Sequence, residues 1–335
     1  MLSCVFPDVI QMCKKLNVPR IMTTVSCIRD KEGDIHSSLG FRRTIFMDCG
    51  IFQHYKDRLT SEEIQNYREK LVTWYSCLKP DLASALDIPS LLWHDLSTKK
   101  ERMTWSIENY LYMKKRVPNK VLLVPGVCAF SQKSVDITSR HMARIGELSI
   151  LGIGGCVPLI KLSAVKPEFG KIVVKLVHAF RSYFPGTHLH VYGAGSHRWY
   201  MLVRFLGADS ADCSSYIQMA TKGHIILPGI GARHIAPSKL YKKADHEVLK
   251  NPEMKILGKC SCPSCKHSDI MALAYDKSHR LMHNLFVTAS EAKLVDEFCE
   301  RNDDYAMAHF IKGRLVDNNS HLKNVAEEAL KIKGF

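Results

Sequence analysis

The sequence predicts an α/β fold: a (β/α)8 barrel over residues 1–250 with an inserted or C-terminal metal-binding subdomain over 251–335. Three observations predict it. Short β-rich runs alternate with amphipathic segments along most of the 335 residues, the pattern of a parallel sheet covered by helices. Acids and glycines recur just after those runs, where such barrels gather their active sites. Three cysteines fall within six residues near position 260.

The runs that predict strands are "RIMTTVSCI" (20–28), "RTIFMD" (43–48), "LASALD" (82–87), "KVLLVPGV" (120–127), "LSILGIGG" (148–155), "HLHVYGAG" (188–195) and the region 207–212. That is seven; the eighth comes from the first few residues or from "GHIILPG" (223–229). Helices are expected in "IQNYREKLVTWYSCL", introduced by Thr60 and Glu63 at capping-box spacing, and in "KERMTWSIENYLYMKKR", "SRHMARIGEL", "EFGKIVVKLVHAFRSYF" and "HRWYMLVRFL". Each repeats apolar residues three and four apart. An open doubly wound sheet is the alternative, but no GxGxxG follows an early strand. Asp48, Asp87, Gly154, Gly155, Tyr192, Gly193 and Asp212 all fall at or just past expected strand ends.

Composition narrows the partners. Lys and Arg number 47 against 33 Asp and Glu, and the pI is near 9.2; this excess suits a polyanion such as nucleic acid. Basic residues cluster at 99–120 (Lys99, Lys100, Arg102, Lys114, Lys115, Arg116, Lys120) and at 222–259 (Lys222, Arg233, Lys239, Lys242, Lys243, Lys250, Lys255, Lys259). No run of about 18 apolar residues spans a membrane, and the first residues lack the order of a signal peptide. With 12 scattered cysteines, this points to a reducing cytoplasm and to metal or catalytic uses of thiols.

The strongest local signal is "KCSCPSCKHSDIMALAYDKSHRLMHNLF". Cys260, Cys262 and Cys265 with His283 make a Cys3His set, which fills a tetrahedral structural zinc site and leaves no position for water. His267 and His279 compete with His283 for the fourth place. A following helix is expected to open at Thr288 and Glu291, again at capping-box spacing. Asp48 and Asp212, at two strand ends facing one pocket, suit glycosidic-bond chemistry, one at the anomeric carbon and one moving protons.

Five segments in order resemble the tRNA-guanine transglycosylases. "MDCGIFQ" is similar to their "DSGGFQ", "LGIGGCVP" to their "IGGL" loop, "HVYGAGS" to their "MGVG" turn, and "GADSADC" to their "GxDxxDC". The C-x-C-x2-C followed by "HNL" is similar to their zinc signature. The resemblance covers about 43–290 and implies a TIM barrel with a structural Zn2+ subdomain. It also implies exchange of guanine for a 7-deazaguanine through a covalent enzyme–nucleic acid intermediate. By it, Asp212 is the nucleophile and Asp48 the general acid/base. Asp87 reads the Watson–Crick edge, and Phe52 and Tyr192 sandwich the purine. Gln53 and the backbone of Gly155 and Cys156 bond the heterocycle, with Gly193 in the same base-binding turn. The plain alternatives are that Asp209 is the nucleophile, that Phe52 and Tyr192 are core aromatics, that Asp87 caps a loop, and that Cys49 and Cys213 are small buried residues.

The chain departs from the family in several places, among them a tighter spacing between Cys265 and His283. The "LPTR" segment with its basic loop reads "SSYIQMATKGHIILPG", and "VQGG" is replaced around "VPGVCAF". These departures look like relatives that insert 7-deazaguanines such as preQ0 into DNA, known from phages and bacterial DNA-modification clusters. DNA is therefore the expected substrate, with tRNA the alternative and a non-catalytic subunit a further one. Dimerisation through the zinc lobe, frequent in the family, suggests a homodimer.

Overall fold

The computed structural model describes residues 2–3, 7–28, 33–51, 60–235, 251–267, 271–318 and 320–335. Phe52 and Gln53, and the expected domain boundary at 250, lie outside them. One parallel sheet is built in chain order from Leu2–Ser3 (β1), Arg20–Thr24 (β2), Thr44–Asp48 (β3), Leu82–Ser84 (β4) and Leu122–Val124 (β5). A second holds Gly126–Cys128 (β6), Ile150–Gly154 (β7), His188–Val191 (β8) and Ser210–Ala211 (β9). Pro125 separates β5 from β6. It has no N–H for a ladder, and the chain changes partner there: Ala85 N donates to Val124 O at 2.8 Å and Gly152 N to Pro125 O at 2.9 Å. With β5 and β6 as one run, eight strand positions follow one another. Among the described residues no pairing joins β9 to β1.

The strands are buried on both faces, as parallel strands under helices must be; all five residues of β7 are buried. Met22, Phe46, Val124 and Ile150 form one apolar layer, separate from the larger core shared with the helices. The side-chain period of two puts Asp48 on the same face as Phe46. Across this face the Phe46 ring lies 5.2 Å from His190 and 6.0 Å from Tyr192, so the two sheets confront each other. Of the two candidates for the eighth strand, the first residues pair with β2. His224–Leu227 (β10) instead forms an antiparallel hairpin with Gly231–His234 (β11).

Helices follow the strands: Pro7–Lys15 (α1), Val25–Ile28 (α2), Ile35–Leu39 (α3), Ser61–Leu78 (α4), Leu96–Lys114 (α5), Gln132–Ala143 (α6), Cys156–Ser163 (α7), Pro167–Tyr183 (α8), His197–Phe205 (α9) and Ser215–Thr221 (α10). The expected capping box opens α4. The Thr60 hydroxyl accepts from Glu63 N at 3.1 Å while Glu63 Oε2 accepts from Thr60 N at 2.9 Å, and Ile64, Leu71, Tyr75 and Leu78 form the buried stripe. The 20–28 run stops as a strand at Thr24 and turns into α2.

The C-terminal part contains Asn251–Gly258 (α11), Pro263–His267 (α12), Ala272–Tyr275 (α13), Lys277–Glu300 (α14), Asp304–Ile311 (α15), a π-helical turn Lys312–Asp317 and Lys323–Ile332 (α16). Ile225 and Leu227 of the hairpin share a small core with Leu257 and Leu273. The helix after the cysteines does not open at Thr288. Asp276 caps α14 by accepting from Ser278 N at 2.6 Å, and Thr288 and Glu291 are buried within that helix. The apolar stripe continues through both positions, so the capping-box spacing there is coincidence: Glu291 faces Arg314 at 3.5 Å instead. No helix among the described residues is long and apolar enough to cross a membrane.

Candidate active site and metal centre

One cavity of about 620 Å³ opens at the C-terminal ends of the strands, and Asp48, Asp87, Gly154, Gly155, Tyr192, Gly193 and Asp212 all line it. Asp48 is the last residue of β3, and its Oδ2 accepts from Gly50 N at 3.1 Å. Burial, then the nearby negative charges of Asp87 and Asp212, push its carboxyl up to about 7. A group poised there exchanges a proton near neutral pH, as a general acid or base requires. Asp87 lies three residues past β4. Burial raises its carboxyl too, and the Cys49 thiol faces its Oδ1 at 3.4 Å.

Asp212 follows β9 directly. Its Oδ1 accepts from Gly193 N at 2.8 Å, and its side chain is 13% exposed. The turn "GAG" after β8 explains why this acid stands where it does. Gly193 adopts φ +73°, and a Cβ there would meet Val157 at 2.2 Å; a Cβ on Gly195 would lie 2.5 Å from the Asp212 backbone carbon. Gly195 N also donates to Asp212 O at 2.7 Å. Two glycines therefore let the β8 turn lie flush against the acid. Gly193 touches the carboxylate, a contact its grouping with base-binding residues did not anticipate. Asp209, the competing acid, is tied elsewhere: its Oδ2 accepts from Leu189 N at 2.7 Å and from Arg181.

Tyr192 lines the cavity with its ring against Gly152 and its hydroxyl 2.8 Å from Ser84 Oγ. It is thus part of the wall between β4 and β8 as well as a cavity aromatic. Gly155, at φ +75°, is the N-cap of α7, and Cys156 is buried behind it, its thiol turned toward Gly154 O at 3.8 Å. Burial pushes the Cys156 thiol up to about 12, which marks it as inert. Cys213 is buried as well, and its thiol is likewise raised by burial.

Two residues at the site were missed, Cys128 on the cavity wall and His190 buried behind Asp212. Cys128 stands in the segment that replaces "VQGG", its sulfur packed beside Gly154, and burial and Asp87 push its thiol up to about 12. His190, fully buried on β8, has Nε2 3.4 Å from Asp212 Oδ1. The period of two from Tyr192 and the neighbouring His188 were the available signals.

At the metal centre the sulfurs of Cys260, Cys262 and Cys265 lie 3.5, 3.6 and 3.4 Å from His283 Nδ1, and all four ligand atoms lie within 4.8 Å of one another. Zn–S of about 2.3 Å and Zn–N of about 2.0–2.1 Å give a tetrahedral S–N edge of about 3.6 Å, so the donor set fits zinc. His283 Nε2 meets Ile226 O at 2.9 Å, an outer contact that fixes the ring with Nδ1 toward the thiols. Asn284, next in the chain, accepts from Ile226 N at 2.7 Å and donates to His224 O at 3.0 Å. Of the competitors, His279 faces Asp276 at 3.8 Å, and the side chain of His267 lies outside the described residues.

The basic stretches divide. Arg102 is buried and donates to Pro89 O at 2.6 Å, which holds the loop after Asp87. Arg233 pairs with Glu253 at 2.7 Å. Lys161 and Arg198 line the cavity itself. Lys239, Lys242, Lys243 and Lys250 lie outside the described residues.

A family model described as queuine tRNA-ribosyltransferase matches residues 17–298. The chain is 24% identical over 284 residues to a tRNA-guanine(15) transglycosylase of Sulfolobus acidocaldarius, a match that covers 80% of this chain and 50% of the relative. It is 25% identical over 329 residues to the protein of that name from Korarchaeum cryptofilum, covering 91% and 50%. For Methanosarcina mazei the figures are 24% over 272 residues, covering 79% and 50%. The chain spans about half the length of these curated relatives. The matched span takes in all three strand-end acids and every cysteine of the metal centre, and by it the chain belongs to the queuine tRNA-ribosyltransferase family of transglycosylases.

Proposed function

We propose that this protein exchanges guanine in tRNA for a 7-deazaguanine base such as preQ0. The observation that carries the reading is the pair of acids Asp48 and Asp212 on one cavity, the first poised near neutrality and the second held by Gly193. The target nucleotide is turned out so that C1′ reaches Asp212. The Asp212 carboxylate attacks C1′, an O–C1′ bond forms, the bond from C1′ to the guanine nitrogen breaks, and Asp48 gives its proton to the departing base. Asp48, now a carboxylate, takes the N9 proton of the incoming 7-deazaguanine; N9 attacks C1′ and Asp212 is released. Asp87 faces the paired N–H donors of a guanine-like edge, and the Gly155 turn and Tyr192 complete the base site. Phe52 and Gln53 belong to the same site on the resemblance alone.

In this reading the two sheets close as a TIM barrel, which the Phe46–His190 and Ser84–Tyr192 contacts across the strands support, and the Cys3His cluster holds a structural Zn2+. Zinc there holds the lobe together and takes no part in the exchange.

The preference for DNA drawn from the loop after Asp212 gives way to tRNA, because the relatives reported above are named for tRNA. The test supplies purified protein with preQ0 and either bulk tRNA or duplex DNA, followed by digestion to nucleosides and mass analysis. Deazaguanosine in tRNA is expected, and none with Asp212→Asn. Product in DNA alone restores the DNA substrate; no product in either overturns base exchange.

A further inference from the structure

We propose that His190, held by Ser210 and His188, is the positioning residue of the Asp212 carboxylate. The inference rests on Asp212 being the nucleophile. His190 is fully buried on β8; its Nδ1 lies 2.9 Å from Ser210 Oγ, and Ser210 Oγ lies 2.8 Å from His188 Nε2. Its Nε2 points at Asp212 Oδ1 across 3.4 Å and meets no other hydrogen-bond partner among the described residues. That separation is at the long end of a hydrogen bond, the state in which catalytic contacts stand before substrate tightens them.

The protons of this chain of groups can be assigned. An ionised carboxylate only accepts, so Nε2 carries the hydrogen. Burial depresses the His190 imidazolium, against the pull of Asp212, so the ring is neutral and Nδ1 accepts. Ser210 therefore donates its hydroxyl proton to Nδ1 and accepts from His188 Nε2. Every donor in the series points toward Asp212, and such chains polarise one another. Together with Gly193 N–H on the same oxygen, the imidazole N–H holds the carboxylate from behind while it lines the cavity. The ester step removes its charge and the second step returns it, so the same donor favours release of the nucleophile in the second half of the exchange.

The test measures covalent trapping of tRNA and steady-state exchange for His190→Leu, His190→Gln and Ser210→Ala. His190→Leu is expected to slow adduct formation about 100-fold, the scale of a misplaced reacting group, with the KM for the free base unchanged. His190→Gln, which keeps an N–H near the Nε2 position, is expected to recover most of that loss. Ser210→Ala removes the support alone and is expected to lower kcat about 10-fold; it decides the matter if His190→Leu fails to fold. Wild-type kcat in Ser210→Ala together with equal loss in the Leu and Gln variants would overturn the role. Asp212→Asn separates the two readings: an adduct that persists there removes the nucleophile itself, whereas no adduct there but a wild-type rate in the His190 variants removes only the positioning residue.

Discussion

The acid cluster at the strand ends and the thiol cluster in the lobe gather like donors in opposite ways. In the lobe, three thiols and an imidazole bring their donor atoms within 4.8 Å of one another, a set that fits one cation. At the strand ends three carboxylates line one cavity, and burial with the charges of Asp87 and Asp212 pushes the Asp48 carboxyl up to about 7. A cluster made for an ion is stabilised by its occupant. A cluster of buried carboxyls is left in tension, and the sheets bear the cost.

Removing the ion breaks this contrast most severely. Chelation is expected to lower Tm by about 10 °C or more, and Cys262→Ser to reproduce the loss, both read by calorimetry beside a metal assay expected to give one zinc per chain. A chain that binds no zinc, or one indifferent to its removal, ends the comparison.

Relaxing the acid cluster is expected to act in the other direction. The Asp48 carboxyl stands at about 7 in the fold against an ordinary value of 3.8, so the folded state binds more protons than the unfolded one between those values. Its stability therefore falls as pH rises from about 4 to 7. Asp48→Asn removes that penalty. It is expected to raise unfolding free energy at pH 8 by a few kcal/mol, about 4 at most, with no gain at pH 4, while abolishing exchange. Denaturant titrations at the two pH values check it, and equal effects at both would show that the strand-end acids are not in tension.

A site outside both clusters sets the scale. Thr60→Ala is expected to cost about 1 kcal/mol through loss of the α4 cap, equally at pH 4 and pH 8, in the same titrations.

What the sequence made legible follows from how each residue works. Cys260, Cys262 and Cys265 are close in the chain because they are close in space, and so the centre announced itself. Asp48, Asp87 and Asp212 could be placed at strand ends on one cavity because the rise of a strand and the turn after it are local matters. His190 and Gly195 were not, since a histidine in "HLH" and a glycine in "GAG" acquire meaning only when β8 is laid beside β9. Thr288 and Glu291 show the reverse error: a local spacing rule is overridden where tertiary packing keeps a helix running. Arg102 looked like part of a nucleic-acid surface until α5 turned it inward to the loop after Asp87.

Pro125 has a consequence for how the chain assembles. It parts the strands where one sheet hands over to the next, so the first half of the molecule carries Asp48 and Asp87 while the second carries His190 and Asp212. Neither half alone brings the three strand-end acids onto one cavity. The repulsion between Asp48 and Asp87 is internal to the first half, whereas the charge of Asp212 bears on Asp48 only once the halves have met, so docking them adds a further push on the Asp48 carboxyl.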